Sequence, residues 1–251
     1  MNEKEYYAQK GNWDFSEIKC VTEKLTNWDY FEKIKENSNE KSLCLDLGTG
    51  GGENVLKNYP KVGMIIGTDF SKEMIETARK NALEYPEKNV KFTVMDSLNM
   101  TFPEETFDLI SARHTVINAK QIYKILTKCG VLVIEGVDKQ DCWELKELFG
   151  RGQGYNDKIA ISQKDYEDIK DVGFSNIEKV QILENEYYET EDDLMKLLIE
   201  TPILDNFSET RSNFKHSGKI EKELFDEYVK KFKTDKGILL KRVSYGIVAK
   251  K

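Results

Sequence analysis

Histidine and cysteine are scarce: His114 and His216, and four cysteines, occur in 251 residues. Cys20, Cys44, Cys129 and Cys142 share neither a metal-ligand spacing nor a Cys-x-x-Cys pair. A zinc centre or a dithiol redox motif is therefore not expected; buried, reduced thiols in a cytoplasmic protein are. No apolar run approaches the roughly 18 residues needed to span a bilayer. Met-Asn-Glu-Lys-Glu-Tyr-Tyr at the N-terminus lacks the basic-then-apolar layout of a signal peptide. A basic excess is missing too: 38 Lys and Arg face 45 Asp and Glu, a formal charge of −7. That balance disfavours a nucleic-acid partner, although a local basic patch stays open. No internal repeat or low-complexity tract is visible.

Hydrophobic residues make up 39% and charged residues 33%, enough for a core beneath a very polar surface. The length suits one large domain, or a domain with a substantial insertion. The informative stretch is Leu43–Val55, Leu-Cys-Leu-Asp-Leu-Gly-Thr-Gly-Gly-Gly-Glu-Asn-Val. A short apolar run reads as a strand, the glycines as a tight turn, and Glu53 onward as a helix. Glycine permits positive φ and lets a ligand approach the backbone without a Cβ in the way. The spacing Asp46-x-Gly48-x-Gly50-x-Gly52 departs from the dinucleotide pattern Gly-x-Gly-x-x-Gly, whose last position would fall on Glu53. A carboxylate there repels a pyrophosphate, whereas Asp46 ahead of the glycines suits a ligand carrying positive charge. Glu53 also has a plainer reading, as an acid favoured in the first turn of a helix.

Two further apolar runs end in acids. Gly63–Phe70 reads as a second strand ending at Asp69, with Ser71 capping a helix that carries Met74, Ile75 and Ala78. An acid about 20 residues beyond the first turn is placed to accept ribose hydroxyls; a second helix cap is the other reading of Asp69. Val90–Asp96 alternates like a strand and ends at Asp96–Ser97, and Phe107–Arg113 and Gly130–Val137 read as strands four and five. A helix is expected over 118–126 between them.

Together these segments resemble the class I S-adenosylmethionine-dependent methyltransferases, whose cofactor carries an ammonium and a sulfonium. The likeness covers about residues 42–137 plus the final strand, and is nearest to the broad small-molecule type that includes quinone-biosynthesis enzymes. One departure is Lys128-Cys129-Gly130, which keeps the turn glycine but lacks the family's proline. The resemblance implies a Rossmann-like α/β fold: a seven-stranded, mostly parallel sheet with the last strand antiparallel. On that likeness the backbone of Gly48, Thr49 and Gly50 would line the methionine moiety, Asp46 would act from beneath the turn and Asp69 would hold the ribose. Phe70 and Met74 would lie against the adenine, Asp96 and Ser97 at its edge, and Ala112 and Arg113 at the methionine end.

In-line methyl transfer needs positioning more than covalent help. His114, directly after strand four, is the candidate general base; a half-buried histidine bonded to backbone is the alternative. Glu135 and Tyr155 could also face the acceptor, and His216 reads as a surface residue. The basic run Lys230–Lys241 reads as a solvated helix face. The amino-directed Asn/Asp-Pro-Pro-Tyr/Phe motif is missing, and no cysteine follows strand four to serve as a nucleophile. Those absences favour a small-molecule acceptor at oxygen, nitrogen or carbon. An RNA or protein methyltransferase and a non-catalytic S-adenosylmethionine-binding module are the rival readings.

Around this centre, residues 1–41 read as a helical lid segment and 42–251 as the methyltransferase domain. Ser16 would cap a helix running to about Lys35, with Ile18, Val21, Leu25, Trp28 and Phe31 at helical spacing. Tyr7–Trp13 would form the mobile part of the lid. Ser162–Val172 reads as a helix with a Ser-x-x-Asp cap, Phe174–Leu183 as strand six and Ser244–Lys250 as the last strand. The intervening 184–242 is expected to be a helical insertion covering the substrate.

Overall fold

Strands β2 (Leu43–Leu47), β3 (Met64–Asp69), β4 (Val90–Val94), β5 (Phe107–Arg113) and β6 (Leu126–Val137) run parallel in the computed structural model, which describes residues 17–205 and 218–251. Both faces of this sheet are covered, which is why its strands read as continuous apolar runs rather than alternating ones. Leu45, Ile110, Leu132 and Ile247 point into one layer, closed by helices α4 (Ala119–Ile125) and α6 (Ile161–Asp171). Cys44, Leu109, Val133 and Val248 point into the opposite layer. That layer is closed by α1 (Tyr30–Glu36) and α2 (Glu53–Asn58), while α3 (Lys72–Asn81) packs on Phe92 at the β4 end. Each fully buried aliphatic or aromatic side chain contributes about 1.5–3 kcal/mol of transfer free energy.

The remaining strands turn the sheet antiparallel. β9 (Gly237–Lys250) lies antiparallel between β6 and β7 (Ser175–Tyr188). β1 (Cys20–Lys24) adds to the outer edge of β7, and β8 (Lys233–Thr234) pairs with the start of β9. The order is β1-β7-β9-β6-β5-β2-β3-β4. The seven expected strands are all present, with β9 antiparallel as anticipated; β1 and the short β8 bring the sheet to nine strands among the described residues. β7 and β9 are 14 residues each and project past β6 as a ribbon. On that projection α5 (Trp143–Phe149), α7 (Glu191–Glu200) and α8 (Lys222–Phe232) bury Tyr188, Ile238 and Leu240 in a separate apolar cluster. Among the described residues no helix is long and apolar enough to cross a membrane.

Several boundaries differ from the sequence reading. The helix expected up to Lys35 is a strand over Cys20–Lys24 followed by the shorter α1, which Asp29 caps by accepting from the amides of Phe31 and Glu32. Val21 and Leu25 lie 68% and 55% exposed: pairing with β7 outweighed a helical spacing that had no core to face. The insertion is narrower than 184–242, because β7 runs on to Tyr188 and β9 begins at Gly237. Ser162 does not cap α6; Ala160 stands at that position without a side-chain bond, and Asp165 turns inward to accept from the Tyr245 hydroxyl at 2.6 Å. Cys44 and Cys142 are buried as expected, but Cys20 and Cys129 are exposed. Tyr7–Trp13, Ser16 and His216 lie outside the described residues.

Candidate cofactor and methyl-transfer site

β2 is followed in sequence by β3 on one side, while β5, its neighbour on the other side, leads on to β6. The chain therefore reverses direction across the sheet between β2 and β5, and ligands of open α/β sheets bind outside the carboxyl ends of strands at such a switch point. Asp46 and Ser111 are direct register partners across this boundary. The glycine turn sits above it. The Thr49 amide donates to the Thr68 carbonyl at 2.8 Å and the Thr68 hydroxyl to the Asp46 carbonyl at 3.1 Å, so the turn is fastened to the end of β3.

The glycines divide by what surrounds them. Gly48, at φ +68°, is walled in: a Cβ there would lie 2.6 Å from the Cβ of Thr115, in the loop after β5. Gly50, at φ +56°, has nothing within 4 Å of its Cβ position. Its amide donates to Asp69 Oδ2 at 3.0 Å. One glycine lets two loops close on each other, and the other leaves a backbone face open beside an acid.

Asp69 ends β3 and accepts from the Gly50 and Ser71 amides through different oxygens, at 3.0 and 2.8 Å. Burial pushes its carboxyl up, against the opposing pull of these two donors. It is not the cap of α3; Ser71 is, accepting from the Met74 amide. Phe70 is half-buried beside it, and Met74 is 1% exposed on the inner side of α3. Asp96 lies two residues beyond β4 and is exposed, closing a turn by accepting from the Leu98 amide and the Asn99 side chain; Ser97 is half-buried next to it. The three acids thus stand at successive strand ends, as anticipated, with different degrees of burial.

Asp46 is 5% exposed. Ser111 donates to its Oδ1 at 2.6 Å, and the Tyr59 and Ser111 hydroxyls are 3.1 Å apart. Burial raises the Asp46 carboxyl to about 6, against the lowering effect of Ser111 and the Arg113 charge. Neither Ser111 nor Tyr59 was singled out in the sequence. Ser111 was legible as the lone hydroxyl in the apolar run Leu-Ile-Ser-Ala; Tyr59 carried no signal.

At the end of β5, Ala112 is fully buried and Arg113 donates to Glu135 Oε1 at 2.8 Å. His114 adopts φ +52°, sparsely populated for a non-glycine residue although histidine is enriched there. Its amide donates to the Glu135 carbonyl at 2.8 Å, and its Nε2 lies 3.5 Å from Glu135 Oε1. Partial desolvation and the Arg113 charge lower its pKa, opposed by Glu135. Burial pushes the Glu135 carboxyl up, but His114 and Arg113 outweigh that and bring it down to about 2. The sequence-predicted Arg113, His114 and Glu135 therefore form one cluster, with a largely neutral imidazole at pH 7. The Tyr155 ring packs instead on Trp143, at 5.3 Å between centroids.

The parallel sheet, its switch point and the acid-flanked glycine turn define the class: an α/β fold with a glycine turn at the carboxyl edge of its sheet, where open α/β sheets bind ligands. Residues 44–135 match the family described as "Methyltransferase domain", and the fold is that of the class I S-adenosylmethionine-dependent methyltransferases. It is 35% identical over 80 residues to "Uncharacterized methyltransferase YcgJ" of Bacillus subtilis (strain 168), a match covering 32% of each chain. It therefore spans about a third of the length of that relative. It is 29% identical over 173 residues to "Carboxy-S-adenosyl-L-methionine synthase" of Helicobacter pylori (strain G27), covering 61% of this chain and 71% of the relative. The crystal structure of the YcgJ protein superposes with a TM-score of 0.56 at 18% identity, covering 88% of this chain and 96% of that one. At that identity the superposition speaks for the fold.

Proposed function

We propose that this protein transfers a methyl group from S-adenosylmethionine to a small-molecule acceptor at oxygen, nitrogen or carbon. The observation that carries this reading is the open face of Gly50, fixed between Asp69 and the buried Asp46 at the topological switch point. The residues present fit the cofactor. Asp46 supplies negative charge beneath the turn, and each oxygen of Asp69 keeps a second lone pair for a ribose hydroxyl. The half-buried Phe70 offers an apolar face for the adenine, with Met74 beneath it and Asp96 and Ser97 at the rim. When bound, S-adenosylmethionine supplies an electrophilic methyl group on its sulfonium.

The chain's own work is then to orient, exclude water and accept a proton. Gly48, Thr49 and Gly50 line the methionine moiety, with Ala112 and Arg113 at its end. His114, kept neutral at pH 7, takes a proton from the acceptor, while Glu135 holds its ring and favours the imidazolium that results. The helices α7 and α8, on the ribbon beyond β6, form the cover of the acceptor side. The acidic net charge favours a small molecule over a nucleic-acid partner. The printed names of the relatives, a methyltransferase and a carboxy-S-adenosylmethionine synthase, point to chemistry on or with this cofactor.

Calorimetric titration with S-adenosylmethionine and S-adenosylhomocysteine, with NAD as control, tests the reading on wild type, Asp69→Ala and His114→Asn. Micromolar binding of both sulfur ligands, lost in Asp69→Ala and kept in His114→Asn, is expected. Once an acceptor is found, His114→Asn should lower kcat by roughly 100-fold or more. Binding of NAD in preference to the sulfur ligands would overturn the proposal.

A further inference from the structure

Tyr30 opens α1, far in sequence from the glycine turn, and is 3% exposed. Its hydroxyl is buried and makes no hydrogen bond of ordinary geometry. A buried, unpaired hydroxyl costs about 1–3 kcal/mol and calls for a reason. The Thr49 hydroxyl, in the turn itself, is buried and unpaired in the same way. Both lie beside the Asp46 carboxylate, which accepts from the Ser111 hydroxyl at 2.6 Å. An ionised carboxylate can accept about four hydrogen bonds, so Asp46 has spare acceptor sites with two buried hydroxyls beside them.

We propose, building on the functional reading above, that Tyr30 is a positioning residue that acts through Asp46 to aim its carboxylate at the ammonium end of the bound cofactor. The groups facing Asp46 are few. Ser111 and Thr49 contribute hydroxyls; Tyr30, Tyr59 and Cys44 are the neighbouring titratable groups; Arg113 is the nearby cation. Cys44 is pushed up to about 12 by burial and stays neutral, and burial pushes both tyrosines up as well. Asp46 is therefore the group of this set that changes charge in the range where proteins are handled. When the carboxylate is ionised, the Tyr30 hydroxyl turns to donate to it, and the ammonium stabilises the same charge, so the two effects reinforce each other. Through Tyr30, the capped start of α1 becomes part of the cofactor site, although it touches no ligand.

The test is Tyr30→Phe, which removes the hydroxyl and keeps the ring in its packing. Affinity is measured for S-adenosylhomocysteine, which carries the ammonium, and for 5′-methylthioadenosine, which lacks it, between pH 5 and 8. Wild type should bind both, with the homocysteine ligand weakening as pH falls. Tyr30→Phe should bind S-adenosylhomocysteine roughly tenfold more weakly and methylthioadenosine unchanged, with the pH at which affinity fades moved upward. A purely structural tyrosine would lower the melting temperature and either leave both affinities alone or weaken both equally; either result overturns the proposal. Failure of wild type to bind any adenosyl ligand would instead overturn the functional reading on which it rests, and this proposal with it.

Discussion

At Asp46 a carboxylate is held in the interior by one serine and raised to about 6. Its ordinary value in an unfolded chain is near 3.8. The folded state therefore binds the proton more tightly than the unfolded state, so stability is greatest below about 4 and falls as the pH rises through 6. Above that range the charged group costs on the order of 3 kcal/mol. Asp46→Asn removes the charge while its amide can still accept from Ser111 and donate to the neighbouring Tyr30 or Thr49 hydroxyls. The variant should gain stability relative to wild type as pH rises from 4 to 8, read as a growing difference in melting temperature. The same variant should bind S-adenosylmethionine at least tenfold more weakly. A pH-independent stability difference would show that burial of the charge is not what the fold bears at this position. A cost retained in the fold where binding needs it is a common signature of a functional residue.

The element that concentrates the chemistry is the turn between β2 and α2, and its glycines separate structure from binding. Gly48→Ala meets both positive φ, costing about 1–2 kcal/mol, and the wall of Thr115, costing a further 1–3 kcal/mol through overpacking. Gly50→Ala meets the φ cost alone. Denaturant unfolding should therefore rank Gly48→Ala as clearly less stable than Gly50→Ala. Calorimetry should find cofactor binding lost in Gly50→Ala, whose methyl enters the open face. A fully stable Gly48→Ala would contradict the packing seen at Thr115. This turn and the strands on either side were legible because their signals are local: an apolar run, glycines, a cap. β1 was not legible, because its partner is some 160 residues away and Val21, Leu25 and Trp28 also fit a helical period. The outer halves of β7 and β9 were hidden for a related reason. Glu184 and Arg242, at the bounds of the expected helical insertion, become strand only by pairing with each other across β7 and β9.

Over the whole molecule, the sheet serves two regions with different packing. The parallel part from β2 to β5 carries the glycine turn and shares its apolar clusters with α1, α2 and α4. The antiparallel ribbon carries α5, α7 and α8 on a cluster with no residue in common with those. Asp46, Asp69 and Arg113 could be found in the sequence because each closes a strand of the first region; Tyr30, Tyr59 and Thr115 join them only after the chain has folded. Leu194, fully buried on α7, offers a way to perturb the second region alone. Leu194→Ala should lower global stability by about 2–4 kcal/mol and speed native-state hydrogen exchange in α7 and α8 more than in β2 and β5. S-adenosylmethionine affinity should stay within about twofold of wild type, because additivity holds for sites without shared partners. A tenfold loss of affinity would mean instead that the ribbon's helical cluster and the glycine-turn region open and close as one cooperative unit, and that ligand binding at the two is thermodynamically linked.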